Sequence, residues 1–277
     1  MESQLKFFSI GIVATNKALS SKHIDVAPIE ILPYFDGELN PNPTNVQSSG
    51  IDADSVQYVS KVKMDTVIKA QWFSKETNRR TAPDVRRGEQ VLIYRYANDD
   101  KFYWVSLGRD DHLRRLETVV WAWSGYPDPN TDIELGPDNS YMLELSTHNK
   151  ALTLTTSKAN GEPFGYTLQL NTGDGNFTIT DDVGNIIQLD SKNTKITLEN
   201  AQGSYAYLDR KDIYIKAPNN LDINVGNAIT VKSKTFTYNG QTVTWNASSF
   251  TINAPVTING TLGVSDGMTA SGGISTP

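Results

Sequence analysis

The sequence predicts an all-β protein in which an N-terminal closed barrel is followed by a tapering, intertwined trimeric β-helix that forms a needle. Three observations support this prediction. Short runs of alternating apolar and polar residues fill the chain, four of the five tryptophans precede residue 125, and the spacing between apolar runs shortens toward the C-terminus. Alternation with a period of two is typical of β-strands, whose successive side chains point to opposite faces.

Composition narrows the class of protein. The 277 residues include no cysteine, which excludes disulfide frameworks, thiolate zinc sites and cysteine nucleophiles. A formal net charge of −6 and a pI near 5.1 argue against a nucleic-acid-binding protein. No apolar run approaches the roughly 18 residues needed to cross a bilayer, and the N-terminus lacks the basic and apolar regions of a signal peptide. We therefore expect a soluble protein that is synthesised in a cytoplasm.

Residues 1–125 are predicted to form the barrel. Six alternating or β-branched segments are bounded by turn residues there: FFSIGIVATN, HIDVAPIEILP, DTVIKAQWF, EQVLIYRY, FYWVSLG and ETVVWAW. Residues 36–56, four of which are Pro or Gly, are predicted to be a long surface loop between the second and third strands. A helical period occurs only over one turn, at DDHLRRLE. Five or six strands without helices favour a small closed barrel.

The second half contains a repeat whose step shortens. The first apolar residues of successive segments are ten positions apart at Phe177 and Ile187, but only six apart at Val256 and Leu262. The segments YMLEL, ALTLT and YTLQL extend the pattern upstream with longer connections. A shortening step predicts a narrowing cross-section. The predicted divisions are a linker or collar at 126–139, the triple-stranded β-helix at 140–265 and a C-terminal tip segment at 266–277.

A step of six to ten residues is too short for one chain to enclose a core, since solenoid coils usually take about 20 residues or more. Three identical chains wound together solve this problem, because their apolar pairs meet on the threefold axis and neighbouring chains supply backbone hydrogen bonds. The alternative is a monomeric β-sandwich or solenoid. The residues predicted to fill the trimer's axial core are Phe177, Ile179, Ile187, Leu189, Ile196, Leu198, Ile213, Ile215, Ile223, Val225, Ile229, Val231, Phe250, Ile252, Val256 and Ile258, with Met268 and Ile274 near the tip.

Four longer segments carry a family resemblance. RRTAPDVRRGEQVLIYR and DDKFYWVSLGRDDHLRRLET are similar to barrel segments, and KDIYIKAPNNLDINVGNAITV and INAPVTINGTLGV to β-helix turns, of the central spike proteins of contractile-tail bacteriophages. That family is related to the spikes of type VI secretion systems. The resemblance implies an OB-fold-like barrel followed by an intertwined trimeric β-helix. It also implies a structural role, without enzymatic activity, as a membrane-piercing spike at the centre of a tail baseplate.

The resemblance further implies a set of partners: a homotrimer, a baseplate hub protein at the barrel end and the host envelope, contacted transiently when the sheath contracts. The expected location is the virion tail, after synthesis in the host cytoplasm. Two features depart from the family. The linker is too short to hold the lysozyme domain that some relatives contain. Other relatives bind iron through a His-X-His motif at the apex of the needle, whereas the histidines of this chain, His23, His112 and His148, lie far upstream of its end. With a small polar terminus, the needle is expected either to end bluntly or to be capped by a separate tip protein, and the separate conical tips of the family favour a PAAR-like tip protein. We expect no metal, cofactor or nucleic acid.

Candidate catalytic residues are few. Asp181 and Asp182 are adjacent, and adjacent carboxylates seldom act as a matched acid–base pair, so we predict a solvated turn. The basic pairs Arg79–Arg80 and Arg86–Arg87 fit a protein interface or a solvated loop better than a nucleic-acid site. No phosphate-binding GxxxxGK[ST] or dinucleotide-binding GxGxxG motif occurs. Two alternatives stay open: a trimeric β-helical tailspike that degrades polysaccharide, and the spike of a secretion system.

Overall fold

A computed structural model describes residues 4–31, 45–63, 67–76, 78–108, 117–130 and 134–272. Its strands, numbered in chain order, are β1 Leu5–Val13, β2 His23–Pro28, β3 Asn45–Ile51, β4 Gln57–Lys63, β5 Ile68–Trp72, β6 Gln90–Tyr96, β7 Phe102–Ser106, β8 Thr118–Ser124, β9 Ser140–Ser146, β10 Ala151–Thr155, β11 Tyr166–Asn171, β12 Asn176–Asp181, β13 Ile186–Asp190, β14 Lys195–Glu199, β15 Tyr205–Asp209 and β16 Asp212–Lys216.

Every regular element within those ranges is a strand, which confirms the all-β prediction. In the same ranges there is no helix with the length and hydropathy to span a bilayer. Residues 110–116 of the predicted helical turn lie outside the described part of the chain.

The predicted barrel is confirmed as a closed sheet of five strands. Their order is β1-β2-β5-β7-β6, and β6 pairs with β1 to close the ring. All neighbours are antiparallel except β5 and β7, which run parallel with Ala70 opposite Phe102. Closure pairs every strand on both sides, so the barrel has no free strand edge.

The barrel interior is a packed core that is sealed from solvent. Val26, Ile93 and Trp104 have no exposed surface, and the Trp104 indole N–H donates to the carbonyl of Lys22 at 3.1 Å. Gly11 lies where β1 crosses this core, and a β-carbon there would clash with the side chains of Val26 and Ile93. Close packing of the core therefore requires both its large apolar residues and a glycine at position 11.

The predicted loop at 36–56 is wrong in part. Residues 45–51 form β3, which pairs with β4 in a two-stranded antiparallel sheet. Tyr58 fixes this hairpin, because its ring lies beneath the Arg87 guanidinium at 4.6 Å and its hydroxyl lies 3.0 Å from Ser48 Oγ. Small polar residues and Gly50 in β3 resemble loop sequence, which explains the error.

The placement of ETVVWAW in the barrel is also wrong. This segment forms β8, which pairs with β9 and begins a nine-stranded antiparallel sheet that runs in sequence order to β16. The predicted linker 126–139 therefore connects two paired strands and does not separate two bodies.

A short strap from the barrel covers the outer edge of β8. Residues 78–81 lie beside this strand: the Arg80 N–H donates to the Val120 carbonyl at 2.8 Å, and the Ala122 N–H donates to the Asn78 carbonyl at 2.9 Å. The strap thus joins the barrel to the sheet by backbone hydrogen bonds and protects the strand edge.

Two charged contacts reinforce the joint. Arg79 of the strap forms an ion pair with Glu117. Lys17, whose side chain is completely buried, places its Nζ 2.8 Å from Asp84 Oδ1, and the other oxygen of Asp84 lies 3.1 Å from His148 Nε2 in the turn after β9. A buried ammonium group needs such partners because desolvation of an unpaired charge is costly.

The chain after Asp222 forms a second unit. Its described part, 223–272, contains no strand or helix, and all of these residues are exposed. The alternation of apolar and polar residues nevertheless continues there, for example at Ile223 and Val225 and at Phe250 and Ile252.

Candidate functional surface: the apolar face of the nine-stranded sheet

The nine-stranded sheet presents two unbroken rows of apolar residues on one face. Strand registry aligns them, because Ile179 faces Ile187 and Phe177 faces Leu189, and the same pairing recurs at each neighbouring strand. The first row is Trp121, Leu143, Leu154, Leu168, Ile179, Ile187, Leu198, Ala206 and Ile215, and the second is Val119, Leu145, Leu152, Leu170, Phe177, Leu189, Ile196, Leu208 and Ile213. We call these two rows the apolar face.

Within the chain, the apolar face is only half buried. Leu189 is 44% exposed and Leu198 is 49% exposed, and exposure rises to 70% at Ile213 in the last strand. A contiguous apolar surface that crosses nine strands is far larger than the scattered apolar residues of ordinary protein surfaces. The face therefore has the apolar character of a surface that becomes buried in an interface.

The opposite face of the sheet is polar. The central residues of neighbouring strands form a ladder in which Thr153, Gln169, Thr178 and Gln188 follow one another. Gln169 donates from Nε2 to Thr153 Oγ1 at 3.2 Å. A one-residue slip of any strand would exchange the two faces, so the apolar face fixes the registry of the whole sheet.

Tyrosines replace the polar ladder near the end of the sheet. Tyr205 and Tyr207 stack with ring centroids 4.1 Å apart. The Tyr207 hydroxyl donates to Glu199 Oε2 at 2.6 Å, and this hydrogen bond raises the pKa of Tyr207 to about 12. Lys195 Nζ lies 4.0 Å from the centroid of the Tyr207 ring. These contacts lock the polar face of β14 and β15 without adding a reactive group.

The tight turns are held by their own side chains. Asp181 accepts hydrogen bonds from the N–H groups of Val183, Gly184 and Asn185, and from the Asn185 side chain. Desolvation raises the pKa of Asp181, but the hydrogen bonds from Asn185 and its neighbours outweigh it and leave the pKa lowered. Asp182 pairs with Lys158, whose hydrogen bond is the largest cause of a lowered pKa at Asp182. Both residues thus stabilise turns, in agreement with the prediction.

The predicted core residues divide at the end of the sheet. Those from Phe177 to Ile215 share one face, in two aligned rows. Those from Ile223 to Ile258 lie in the second unit and are exposed, as is Met268 near the tip. Ile274 lies outside the described residues. Their predicted meeting on a threefold axis remains a prediction.

The list of predicted core residues began at Phe177 and left out the first strands of the face. Leu143 and Leu145 continue the two rows toward the barrel, and β8 adds Val119 and Trp121. The repeat had been followed upstream through YMLEL, and its alternation already placed Leu143 and Leu145 on one face.

The described residues contain no cluster of three or more His, Asp or Glu side chains that could hold a metal ion. One arginine of each basic pair has a structural partner: Arg79 binds Glu117, and the guanidinium of Arg87 lies over Tyr58. A concavity of about 580 Å³ lies along β12 to β16, and its lining combines residues of the first row, such as Ile187 and Ile215, with residues of the neighbouring turns.

Fold and surface together define an all-β chain that combines a closed barrel with a long sheet bearing an open apolar face. No protein-family model matches the sequence. A search of curated proteins gives no match either.

Proposed function

We propose that this chain forms a homotrimeric, membrane-piercing spike at the centre of a contractile tail baseplate. The observation that carries the proposal is the half-exposed apolar face, whose two rows cross all nine strands. Such a surface needs partners, and copies of the same chain supply an identical surface in the same registry.

Strand length favours three copies around the axis. A strand of five residues spans about 17 Å, and the centre of a triangle with sides of that length lies about 5 Å from each side. Two packed sheets are about 10 Å apart, so each contributes about 5 Å of side-chain depth, and the triangle is filled. A square of the same side would leave its centre about 8.5 Å from each sheet, too far for Leu and Ile side chains to meet.

The second unit supports the same assembly. Residues 223–272 keep the alternating pattern but, within the described chain, form no strands of their own. Backbone N–H and C=O groups beside apolar side chains require hydrogen-bond partners once those side chains are buried. Neighbouring copies provide these partners if the three chains wind around one another, as a triple-stranded β-helix does.

The barrel supplies the attachment. A closed barrel of five strands with a single parallel pair is consistent with the OB-fold-like barrel that the resemblance to phage spikes implies, and it supports this part of the proposal. In this proposal the barrels bind the hub protein, a separate tip protein caps the C-terminal end, and the strap 78–81 passes load from barrel to sheet. In this proposal the chain acts mechanically and not as an enzyme.

Contractile particles provide the test. The gene is deleted in cells that produce tail particles with this chain, and particles are purified with and without a complementing copy. The proposal predicts that particles lacking the chain lose envelope penetration, measured as release of a cytoplasmic dye from target cells, and that tagged chain is found at the baseplate by electron microscopy. Its absence from the baseplate, or unchanged dye release, would refute the proposed role.

A further inference from the structure

Three barrel strands, β1, β6 and β7, carry apolar residues on both of their faces. Val91, Ile93 and Trp104 point into the core and have no exposed surface, so the residues that alternate with them point outward. The outward residues are also apolar. They form two short rows across the three strands, with Phe7, Tyr94 and Tyr103 in one and Ile10, Leu92 and Val105 in the other, and we call these six residues the barrel face.

The barrel face is only partly covered within the chain. Phe7 is 52% exposed, and the other five residues are half-buried. Continuous apolar runs such as VLIY in β6 and FYWV in β7 are typical of strands that are buried on both faces. The barrel face therefore has the composition of a buried surface, although the single chain does not bury it.

The aromatic rings of the barrel face hold one another in place. Phe7 meets Tyr94 edge to face, with ring centroids 6.1 Å apart. Phe73, which follows β5, lies 6.4 Å from Tyr94 and 6.1 Å from Tyr103, measured between ring centroids. Aromatic pairs at such distances attract each other beyond the effect of the area they bury. Rings that are already fixed lose little conformational freedom when a partner covers them.

The other side of the barrel is polar. The outward residues of β2 and β5 oppose one another in register, His23 with Gln71 and Asp25 with Lys69. Asp25 is half-buried, and the other three side chains are exposed. The barrel therefore has one outer side suited to water and one suited to a protein interface.

A series of contacts leads from the barrel face to the apolar face of the sheet. Phe73 follows Trp72, whose ring centroid lies 6.0 Å from the guanidinium of Arg79. Arg79 pairs through its backbone with Trp121, the first residue of the first row. A trimer that closes over Trp121 therefore also brings three barrels together at this end of the sheet.

From these observations we infer that the barrel face of each copy packs against the barrel faces of the other two copies. The inference rests on the proposed trimer and extends its interface from the sheet into the barrels. Copies around a threefold axis present the same groups to one another, so a charge near the axis would meet like charge. None of the six residues of the barrel face is charged, whereas the opposite side carries Asp25 and Lys69.

The absence of cysteine permits a direct test on the full chain. Phe7→Cys places one thiol in the barrel face, and Lys69→Cys places one on the polar side as the matched control. The rate of reaction with N-ethylmaleimide is measured in the trimer and in a chain that also carries Leu189→Asp, a change in the apolar face that is expected to abolish the trimer. Comparison of the same thiol in the two states cancels local effects on its reactivity.

In the trimer, the thiol of Phe7→Cys is expected to react at least about tenfold more slowly than in the monomer, because a buried group reacts only when the structure opens locally. The thiol of Lys69→Cys should react within about twofold of its rate in the monomer, since it is exposed in both. The purified chain contains no other protein, so this protection can come only from further copies.

A second pair of variants tests the same contact by its strength. Phe7→Glu would bury a carboxylate among like charges, so its trimer should dissociate at least about tenfold faster than the wild type in guanidinium chloride. Lys69→Glu should dissociate within about threefold of the wild-type rate, because surface charges contribute little. Native mass spectrometry follows dissociation, and circular dichroism verifies that each variant keeps its fold.

The outcomes separate the barrel contact from the trimer. If the wild type is trimeric and the thiol of Phe7→Cys reacts equally fast in trimer and monomer, copies do not cover the barrel face, and the inference is refuted while the trimer stands. Equal dissociation rates for Phe7→Glu and the wild type would refute it as well. If the wild type forms no trimer, or if Leu189→Asp keeps one, the proposed assembly through the apolar face itself fails.

Discussion

The barrel and the nine-stranded sheet use apolar residues in opposite ways. In the barrel, Ile93 and Trp104 are completely buried by residues of the same chain. In the sheet, Leu189 and Leu198 alternate just as regularly, yet each leaves nearly half of its surface exposed. The barrel buries its inner apolar side chains within one chain, whereas the sheet leaves its apolar side chains partly exposed.

The difference follows from closure. Five barrel strands curl until the first meets the last, so their inner side chains face one another. The nine strands of the sheet run in sequence order from β8 to β16 without meeting again, so their apolar side chains face outward from the chain. The same local alternation therefore yields a core in one region and an interface in the other.

The largest expected effect is loss of assembly when a charge enters the apolar face. Leu189→Asp places a carboxylate in the second row, where burial against two other copies would leave it unpaired. We expect the trimer to disappear and the mass to fall to that of the 30.6 kDa chain. The matched control is Gln188→Asp, one residue away on the polar face, which should remain trimeric. A trimer that tolerates Leu189→Asp as well as Gln188→Asp would contradict the comparison.

Next in size is the effect of emptying the barrel core. Trp104→Ala removes a completely buried ring and its hydrogen bond to the Lys22 carbonyl. The expected cost is about 3–5 kcal/mol in the free energy of unfolding of the barrel, measured by denaturant titration. Trp123→Ala, at an exposed position, should leave barrel unfolding almost unchanged. Equal costs at the two sites would remove the distinction between core and interface.

A smaller effect is expected at the joint between the regions. Arg79→Ala breaks the ion pair with Glu117, whose partners are mostly buried. We expect a loss of about 1–2 kcal/mol, confined to the strap and β8, because a charged hydrogen bond is removed. Hydrogen exchange at the Ala122 amide, which donates to Asn78, measures this local loss directly. Unchanged protection of that amide would show that the ion pair does not hold the strap.

The smallest expected effect is a loss of stability at low pH. Hydrogen bonds from Asn193 lower the pKa of Asp190, and the hydrogen bond from Lys158 lowers that of Asp182. A carboxyl with a lowered folded-state pKa stabilises the fold above its unfolded pKa of about 4, and this contribution disappears as pH falls through the folded value. Thermal unfolding temperatures should therefore be level from pH 6 to about 4 and decrease below that. Asp190→Asn should reduce the decrease, and a decrease as large as in the wild type would exclude Asp190 as a contributor.

Local pattern predicted the faces of strands but not their partners. The spacing of Phe177 and Ile179 places both on one face, and the tight turn Asp181–Asn185 fixes which residues of β13 oppose them. By contrast, the alternation in ETVVWAW is the same whether the segment lies in the barrel or in the sheet, so it does not indicate the partner strand. Its partner in the fold, β9, is determined by strand registry and by the strap at 78–81. Neither can be recognised from the local alternation of apolar and polar residues.

Strand β3 escaped prediction for a different reason. Its sequence, NVQSSGI, has few large apolar residues, and its pairing depends on Tyr58 in the facing strand and on Arg87 from the barrel. The order of the barrel strands, with β5 beside β7, likewise arises from contacts between distant segments. Such contacts depend on the packed fold and have no signature within a window of ten residues.

The native mass of the purified full-length chain tests the central claim most directly. The account predicts a stable species of about 92 kDa, three times the 30.6 kDa chain, because three apolar faces fill one axis. A species of about 61 kDa would replace the threefold needle with a two-sheet sandwich. A clean 30.6 kDa monomer at micromolar concentration would contradict the account, since the apolar face would then be stable without a partner.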